Sequence, residues 1–401
     1  MILLLIRQCI THKVFRVTPT NPHHLKWLKQ LGRQKHYDFW KEPTALHRPA
    51  DVMVHPSKVE LMMTSLLDLK MNHYVTIDDV QRQIDDQGSA KTKSESDFED
   101  YMNYGQMEDW LSYTVSICGS RCELINLGQS YEGRNIWIVK ISTGGIKRGI
   151  WLDAGIHARE WLAHHTGLYI IDRFVHDYGV DPDVDFILEH YDVYILPVVN
   201  PDGYVYTWTD DRMWRKTRNP HNGYDTNPCT GADANRNYDF KWMLIGASND
   251  SCDNTYAGPF AHSEPETALI RDYIFNGNWE AYFALHTYGQ LWLLPWGYTA
   301  DDPPTYDELM RVANIGASAL TEVYGTRYTV GSSADILYES SGTSRDWAYG
   351  HPQAQIPYAF TLELRDKSNF VMPPDQILPT AIETWTGFKA SIIAIINGPT
   401  K

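Results

Sequence analysis

Gly149-Ile-Trp-Leu-Asp-Ala-Gly-Ile-His157-Ala-Arg159-Glu160-Trp161 decides the fold of this chain. The apolar run from Gly149 reads as a buried strand ending at Gly155, and the pattern over residues 160–178 reads as the amphipathic helix behind it. His157 and Glu160 then lie at a strand's C-terminal end, where open α/β sheets form their ligand crevice. An imidazole and a carboxylate three residues apart can reach one cation, and this donor pair suits zinc. Taken alone, the pair equally fits a histidine closing a strand and a glutamate in a helix's first turn, where the dipole favours it.

Working outward, strands are predicted over residues 135–142, 191–199, 280–286 and 358–364, and helices over 265–275, 305–324 and 379–397. Their alternation over residues 97–401 predicts an α/β domain with a mixed, mostly parallel sheet and helices on both faces. Residues 11–87 read as β-α-β-β-α-β-α, the order of a small α+β open sandwich, with a capping box of Ser57 and Glu60 opening its second helix. Residues 88–96 are small and polar, an exposed linker whose Lys91 and Lys93 suit a trypsin-like protease; an ordinary solvated linker would read the same. Residues 1–10 hold an apolar run shorter than a normal signal-peptide core and are read as a truncated leader.

A chain of 401 residues with 43% hydrophobic side chains suits one large domain and a smaller one. Its net charge of −15 argues against nucleic acid and anionic membranes, which need basic patches. No apolar run approaches the roughly 20 residues a membrane span needs. With Cys9 in the leader, four cysteines remain that could pair, as in an oxidising compartment: Cys118, Cys122, Cys229 and Cys252.

The strand over residues 280–286 also ends in a histidine before a turn. If the fold sets the two strand ends side by side, His286 joins His157 and Glu160, and water takes the fourth position of a catalytic zinc site. Three further segments are unusually polar: Trp214-Arg215-Lys-Thr-Arg218 is basic in an acidic chain, Asp233-Ala-Asn235-Arg236-Asn237 reads as a loop, and Glu363 interrupts an apolar strand, a costly position unless it is paired or functional.

In this order, His-x-Arg-Glu, Trp-Arg-Lys-x-Arg, Asp-x-Asn-Arg-Asn, His-Thr-Tyr and Phe-Thr-Leu-Glu-Leu-Arg-Asp resemble the zinc carboxypeptidases of the A/B type. The likeness runs over residues 131–385, and the N-terminal region more weakly resembles that family's pro-domain. The resemblance implies that His157, Glu160 and His286 hold one zinc ion and that Glu363 is the general base. It implies that Arg215 polarises the scissile carbonyl, and that Asn235, Arg236 and Tyr338 grip the terminal carboxylate. Arg159 and Tyr288 would line subsites further along the peptide. Asp233 is a candidate for fixing the His157 tautomer, or simply for capping its loop. In the family Cys229 and Cys252 are disulfide partners; Cys118 and Cys122 fall outside that pattern and either bridge each other or stay reduced.

Residues 332–347 are most similar to the carboxypeptidase O branch. Arg345 stands where A members carry an apolar residue and B members an aspartate that selects basic C-terminal residues, so its sign predicts a preference for C-terminal Glu or Asp. Pairing with Asp346 would instead leave it neutral in effect. A loop after Trp347 longer than the family's and a shorter one over residues 367–372 flank the catalytic strand. Carboxypeptidase O is anchored by a hydrophobic tail, whereas this chain ends at Gly398-Pro-Thr-Lys401, so a secreted, soluble monomer is expected. Its partners would be peptide C-termini and an activating trypsin-like protease. The competing readings are the same chemistry on neutral or apolar C-terminal residues, and a zinc-dependent peptide-binding protein without turnover.

Overall fold

The computed structural model describes residues 11–88, 98–221 and 229–399. The leader with Cys9, and Lys91 and Lys93 of the linker, lie outside the described residues. Contacts divide the chain into two units, Met1–Lys91 and Thr92–Lys401.

The first unit runs β1 (Lys13–Thr18), α1 (Pro22–Leu31), β2 (Tyr37–Lys41), β3 (Ala50–Val54), α2 (Val59–Asp68), β4 (Asn72–Ile77) and α3 (Val80–Gly88), the order expected. The strands form an antiparallel sheet in the order β2-β3-β1-β4. Phe15, Val17, Val52 and Val54 pack against Leu28, Met62 and Leu66 of the helices. Asn21 caps α1 by accepting from His24 N at 3.0 Å, with Pro22 at the first helical position. The expected Ser57–Glu60 capping box does not form. A short 3-10 turn, Pro56–Lys58, precedes α2, and His55 Nδ1 accepts from Ser57 N at 3.2 Å instead. Pro56 is preorganised for a turn start one residue earlier than the Ser/Glu spacing suggests.

The second unit contains α4 (Tyr104–Cys118), β5 (Cys122–Gln129), β6 (Asn135–Ile141), β7 (Arg148–Ala154), α5 (Trp161–Asp177), α6 (Pro182–His190), β8 (Tyr191–Leu196) and α7 (Pro201–Thr209). It continues with α8 (Pro265–Phe275), β9 (Trp279–His286), β10 (Leu291–Leu294), α9 (Tyr306–Tyr324), β11 (Thr329–Ser332), α10 (Ser333–Ile336), α11 (Ser344–Gly350), β12 (Tyr358–Glu363) and α12 (Ile377–Asn397). The eight-stranded sheet has the order β11-β10-β12-β9-β7-β8-β6-β5. Its centre, β12-β9-β7-β8, is parallel; β10 meets β12, and β6 meets β8, antiparallel.

β7 explains why the central strands read as continuous apolar runs. Ile150, Leu152 and Ala154 join one core with Phe174 of α5 and Phe388 of α12, while Trp151 points into a second core with Ile270 of α8 and Trp347 of α11. Three strands escaped sequence reading because their signal is weak. β5 is a half-exposed edge strand, and β10 and β11 have four residues each. The segment after Trp347, expected to be loop, begins as the last turn of α11, whose N-terminus Thr343 caps.

Candidate metal centre and substrate cleft

The parallel centre of the sheet brings three strand ends to one edge. β7 stops at Ala154 and the chain turns at Gly155, whose φ of +71° suits glycine; a Cβ there would lie 2.3 Å from the His164 ring. The turn delivers His157 and then Glu160, the residue before α5. β9 pairs with β7, so His286 arrives beside them across 129 residues of sequence.

His157 Nδ1 lies 2.8 Å from Glu160 Oε1, and His286 Nδ1 lies 3.2 Å from both Glu160 Oε2 and His157 Nδ1. All three side chains are buried and their donor atoms lie within 4.8 Å of one another, the one such group among the described residues. Two ring nitrogens facing each other across a carboxylate make a donor set for a single cation, and two imidazoles with one carboxylate fit zinc.

Asp233 does more than cap its loop. Its Oδ1 is 3.1 Å from His157 Nε2, so that nitrogen carries the hydrogen and leaves Nδ1 as the lone-pair donor toward the centre. Its Oδ2 accepts from Arg215 Nη2 at 2.7 Å and Nε at 3.2 Å. Burial, and then the Arg215 charge, push the His157 imidazole below its ordinary pKa, toward the neutral ring a metal needs. Burial opposes ionisation of Asp233, but Arg215, His157 and Arg236 hold its carboxyl well below the usual range. Glu160 likewise stays ionised against burial because both histidines face it, and its charge lifts His286 despite that ring's burial.

Glu363 ends β12, in register with His286. Burial raises its carboxyl to about 7, against the pull of His286. A carboxyl poised there can take up and release a proton near neutral pH. Arg215 Nη1 stands 3.9 Å from Glu160 Oε1, which joins it to the same cluster.

Arg236 is fixed by its own loop. Nε donates to Gly246 O at 2.8 Å and Nη1 to Asn235 O at 2.9 Å, while the buried Nη2 has no protein acceptor, the edge an incoming carboxylate would engage. Asn235 Oδ1 accepts from Ser344 N at 3.0 Å, and the Tyr338 ring centre is 6.0 Å from the Arg236 guanidinium. Arg159 lies 4.3 Å over the Phe370 ring, which packs at 4.7 Å against Tyr288. Phe370 therefore joins these two positions, and no sequence signal marked it, because one aromatic in a loop has no periodicity. Arg212 was missed too: it donates through Nη1 to Arg159 O at 2.9 Å and lies 3.8 Å over the Trp161 ring.

Arg345 is buried and donates to Asp346 Oδ1 from Nη2 at 3.0 Å and Nε at 3.2 Å. Asp346 Oδ2 accepts from the backbone of Gly297 at 2.7 Å and of Tyr298 at 3.2 Å. Cys229 is bridged to Cys252, and Cys118 to Cys122, which answers the pairing left open by the sequence.

A buried His-Glu-His centre with a carboxyl tuned near neutrality beside it is the equipment of a zinc-dependent hydrolase. The chain belongs to the zinc carboxypeptidase family: the model described as Zinc carboxypeptidase matches residues 107–387, and the one described as Carboxypeptidase activation peptide matches residues 15–87. It is similar to carboxypeptidase A2 of Rattus norvegicus, 38% identical with 96% of this chain and 94% of the relative covered, and to carboxypeptidase A4 of Mus musculus, 39% identical with 94% and 92% covered. Among solved structures, thrombin activatable fibrinolysis inhibitor matches with a TM-score of 0.89 and 30% identity over 97% of this chain and 99% of that one. The carboxypeptidase A of Helicoverpa armigera matches with a TM-score of 0.86 at 28% identity, covering 97% and 98%. The protein is thus a metallocarboxypeptidase that uses one zinc ion and is made as a zymogen with an activation peptide.

Proposed function

We propose that this carboxypeptidase removes acidic residues, Glu or Asp, from peptide C-termini, and that residues 332–347 ally it with the carboxypeptidase O branch. The observation carrying the reading is Arg345, a buried guanidinium in the stretch that sets specificity, close enough to influence the Glu363 carboxyl. Arg236, with Nη2 open, takes the terminal carboxylate together with Asn235 and Tyr338. Arg159 and Tyr288 line the cleft further along the peptide. Zinc held by His157, Glu160 and His286 supplies Lewis acidity that lowers a water's pKa to near 7. Glu363 accepts the water's proton and passes it to the departing amine, and Arg215 donates hydrogen bonds to the carbonyl oxygen as its charge develops. Asp233 holds His157 in the required tautomer throughout.

Residues 11–87 act as the pro-domain, residues 88–96 as the activation linker and residues 97–401 as the catalytic domain of a secreted monomer. Among the described residues no helix is long and apolar enough to cross a membrane. A second reading, cleavage of neutral or apolar C-terminal residues, is favoured by one observation: Asp346 already pairs with Arg345. Steady-state kcat/KM for peptides differing only at the last residue separates the two; a preference for Leu or Phe over Glu would refute the first. Activity appearing only after trypsin treatment tests the role of the pro-domain.

A further inference from the structure

We propose that Asn249 is an N-glycosylation site, carrying an N-linked oligosaccharide on the disulfide-closed loop that supports Arg236. Asn249-Asp250-Ser251 is the one Asn-x-Ser/Thr triplet in the 401 residues. It falls where a glycan can be accommodated. Asn249 is exposed at a bend, and among the described residues its side chain engages no partner.

The loop's inner groups are occupied, which leaves Asn249 to solvent. Lys216 Nζ donates to Ser251 O at 2.6 Å, Arg236 Nε donates to Gly246 O at 2.8 Å, and Cys252 is bridged to Cys229. The local turn is set by Asp250: its N donates to Ser248 Oγ at 3.1 Å and its Oδ1 accepts from Cys252 N at 3.0 Å. These bonds use backbone and neighbouring side chains, and none uses the Asn249 amide. A bulky, hydrated substituent there displaces no buried group.

The two disulfides are an independent pointer, since both need the oxidising compartment in which such transfer takes place. The donor is a lipid-linked oligosaccharide pyrophosphate. The Asn249 amide nitrogen forms a C–N bond to the anomeric carbon of the first sugar, the C–O bond to the lipid pyrophosphate breaks, and the amide proton goes to the transferase's base. No oxidant or reductant is involved.

The inference rests on the secretory reading above, so the test separates the two. The full chain is produced in cultured animal cells, both as it stands and behind a cleavable secretory leader, as wild type, Asn249→Gln and Ser251→Ala. Secreted protein is treated with peptide N-glycosidase in heavy-oxygen water and mapped by mass spectrometry. The expected result is a mobility shift on deglycosylation and a heavy-oxygen aspartate at position 249 in the wild type, with both signals lost in either variant. After trypsin activation, Asn249→Gln should hydrolyse short peptides at the wild-type rate. Protein delivered by the added leader but unmodified at Asn249 overturns the glycan assignment. A chain that is retained even behind the added leader, with its disulfides unformed, refutes the secretory reading, while position 249 of that retained form still decides the site's acceptor capacity.

Discussion

Replacing Arg345 with methionine removes the charge while keeping much of the stem. Nε and Nη2 each spend a hydrogen bond on Asp346 Oδ1, leaving the remaining guanidinium donors for a substrate carboxylate. A full charge pair about 4 Å apart at an effective dielectric of about 20 contributes about 4 kcal/mol. Asp346 offsets part of the arginine's charge, so a net discrimination of about 2.8 kcal/mol is reasonable, roughly 100-fold in kcat/KM. The assay is the ratio of kcat/KM for two peptides that end in Glu and Leu and are otherwise identical. In Arg345→Met the Glu:Leu ratio should fall by about 100-fold, mostly through loss of the Glu peptide's rate. Asp346 survives the change because two backbone N–H groups still hold Oδ2 and burial already raises its carboxyl toward the neutral form. A folded, zinc-loaded variant whose ratio stays within about threefold of wild type would show that Asp346 cancels Arg345, and the neutral-residue reading would replace the acidic one.

Glu363→Gln should lower kcat by roughly 100- to 10,000-fold without loss of zinc, read by rate and metal content together. Asp233→Asn, which disturbs both the His157 tautomer and the Arg215 pair, should weaken zinc binding by roughly 10- to 100-fold in a chelator competition. Arg236→Met should raise KM for peptides with a free terminal carboxylate while leaving already poor C-terminally amidated peptides unchanged. His165 is buried, with Nδ1 toward Trp161 O and Nε2 accepting from Met102 N, and burial lowers its pKa from 6.5 to about 4. The unfolded chain therefore binds the proton first. The stability from the neutral ring is complete above pH 6.5 and is lost as pH falls toward 4, in total about 3 kcal/mol. His165→Gln should be less stable than wild type at pH 7.5, with the difference in denaturation midpoint closing at pH 4.5; a constant difference would refute the assignment.

Most of the fold's periodic elements, and both motifs that begin the metal site, are legible in the order of residues. Buried parallel strands such as β7 and β9 are apolar on both faces, and α5, α8, α9 and α12 follow the apolar spacing of a helix, so their patterns survive without neighbours, whereas α4, α6 and α7 were not read from the sequence. His157, Glu160 and His286 were readable because each stands where an apolar run stops. Ser57–Glu60 misled because a local spacing rule could not weigh Pro56, and β10 and β11 were invisible because four residues carry too little pattern.

Which side chains meet at one point follows from the tertiary structure alone. Strand pairing between β7 and β9 closes a gap of 129 residues, and their parallel register brings His286 Nδ1 to 3.2 Å from His157 Nδ1. The double role of Asp233, the Phe370 link between Arg159 and Tyr288, and the Arg345–Asp346 pair depend on loops meeting across the sheet edge. Periodicity reports which face of an element is buried; it carries no information on what lies opposite.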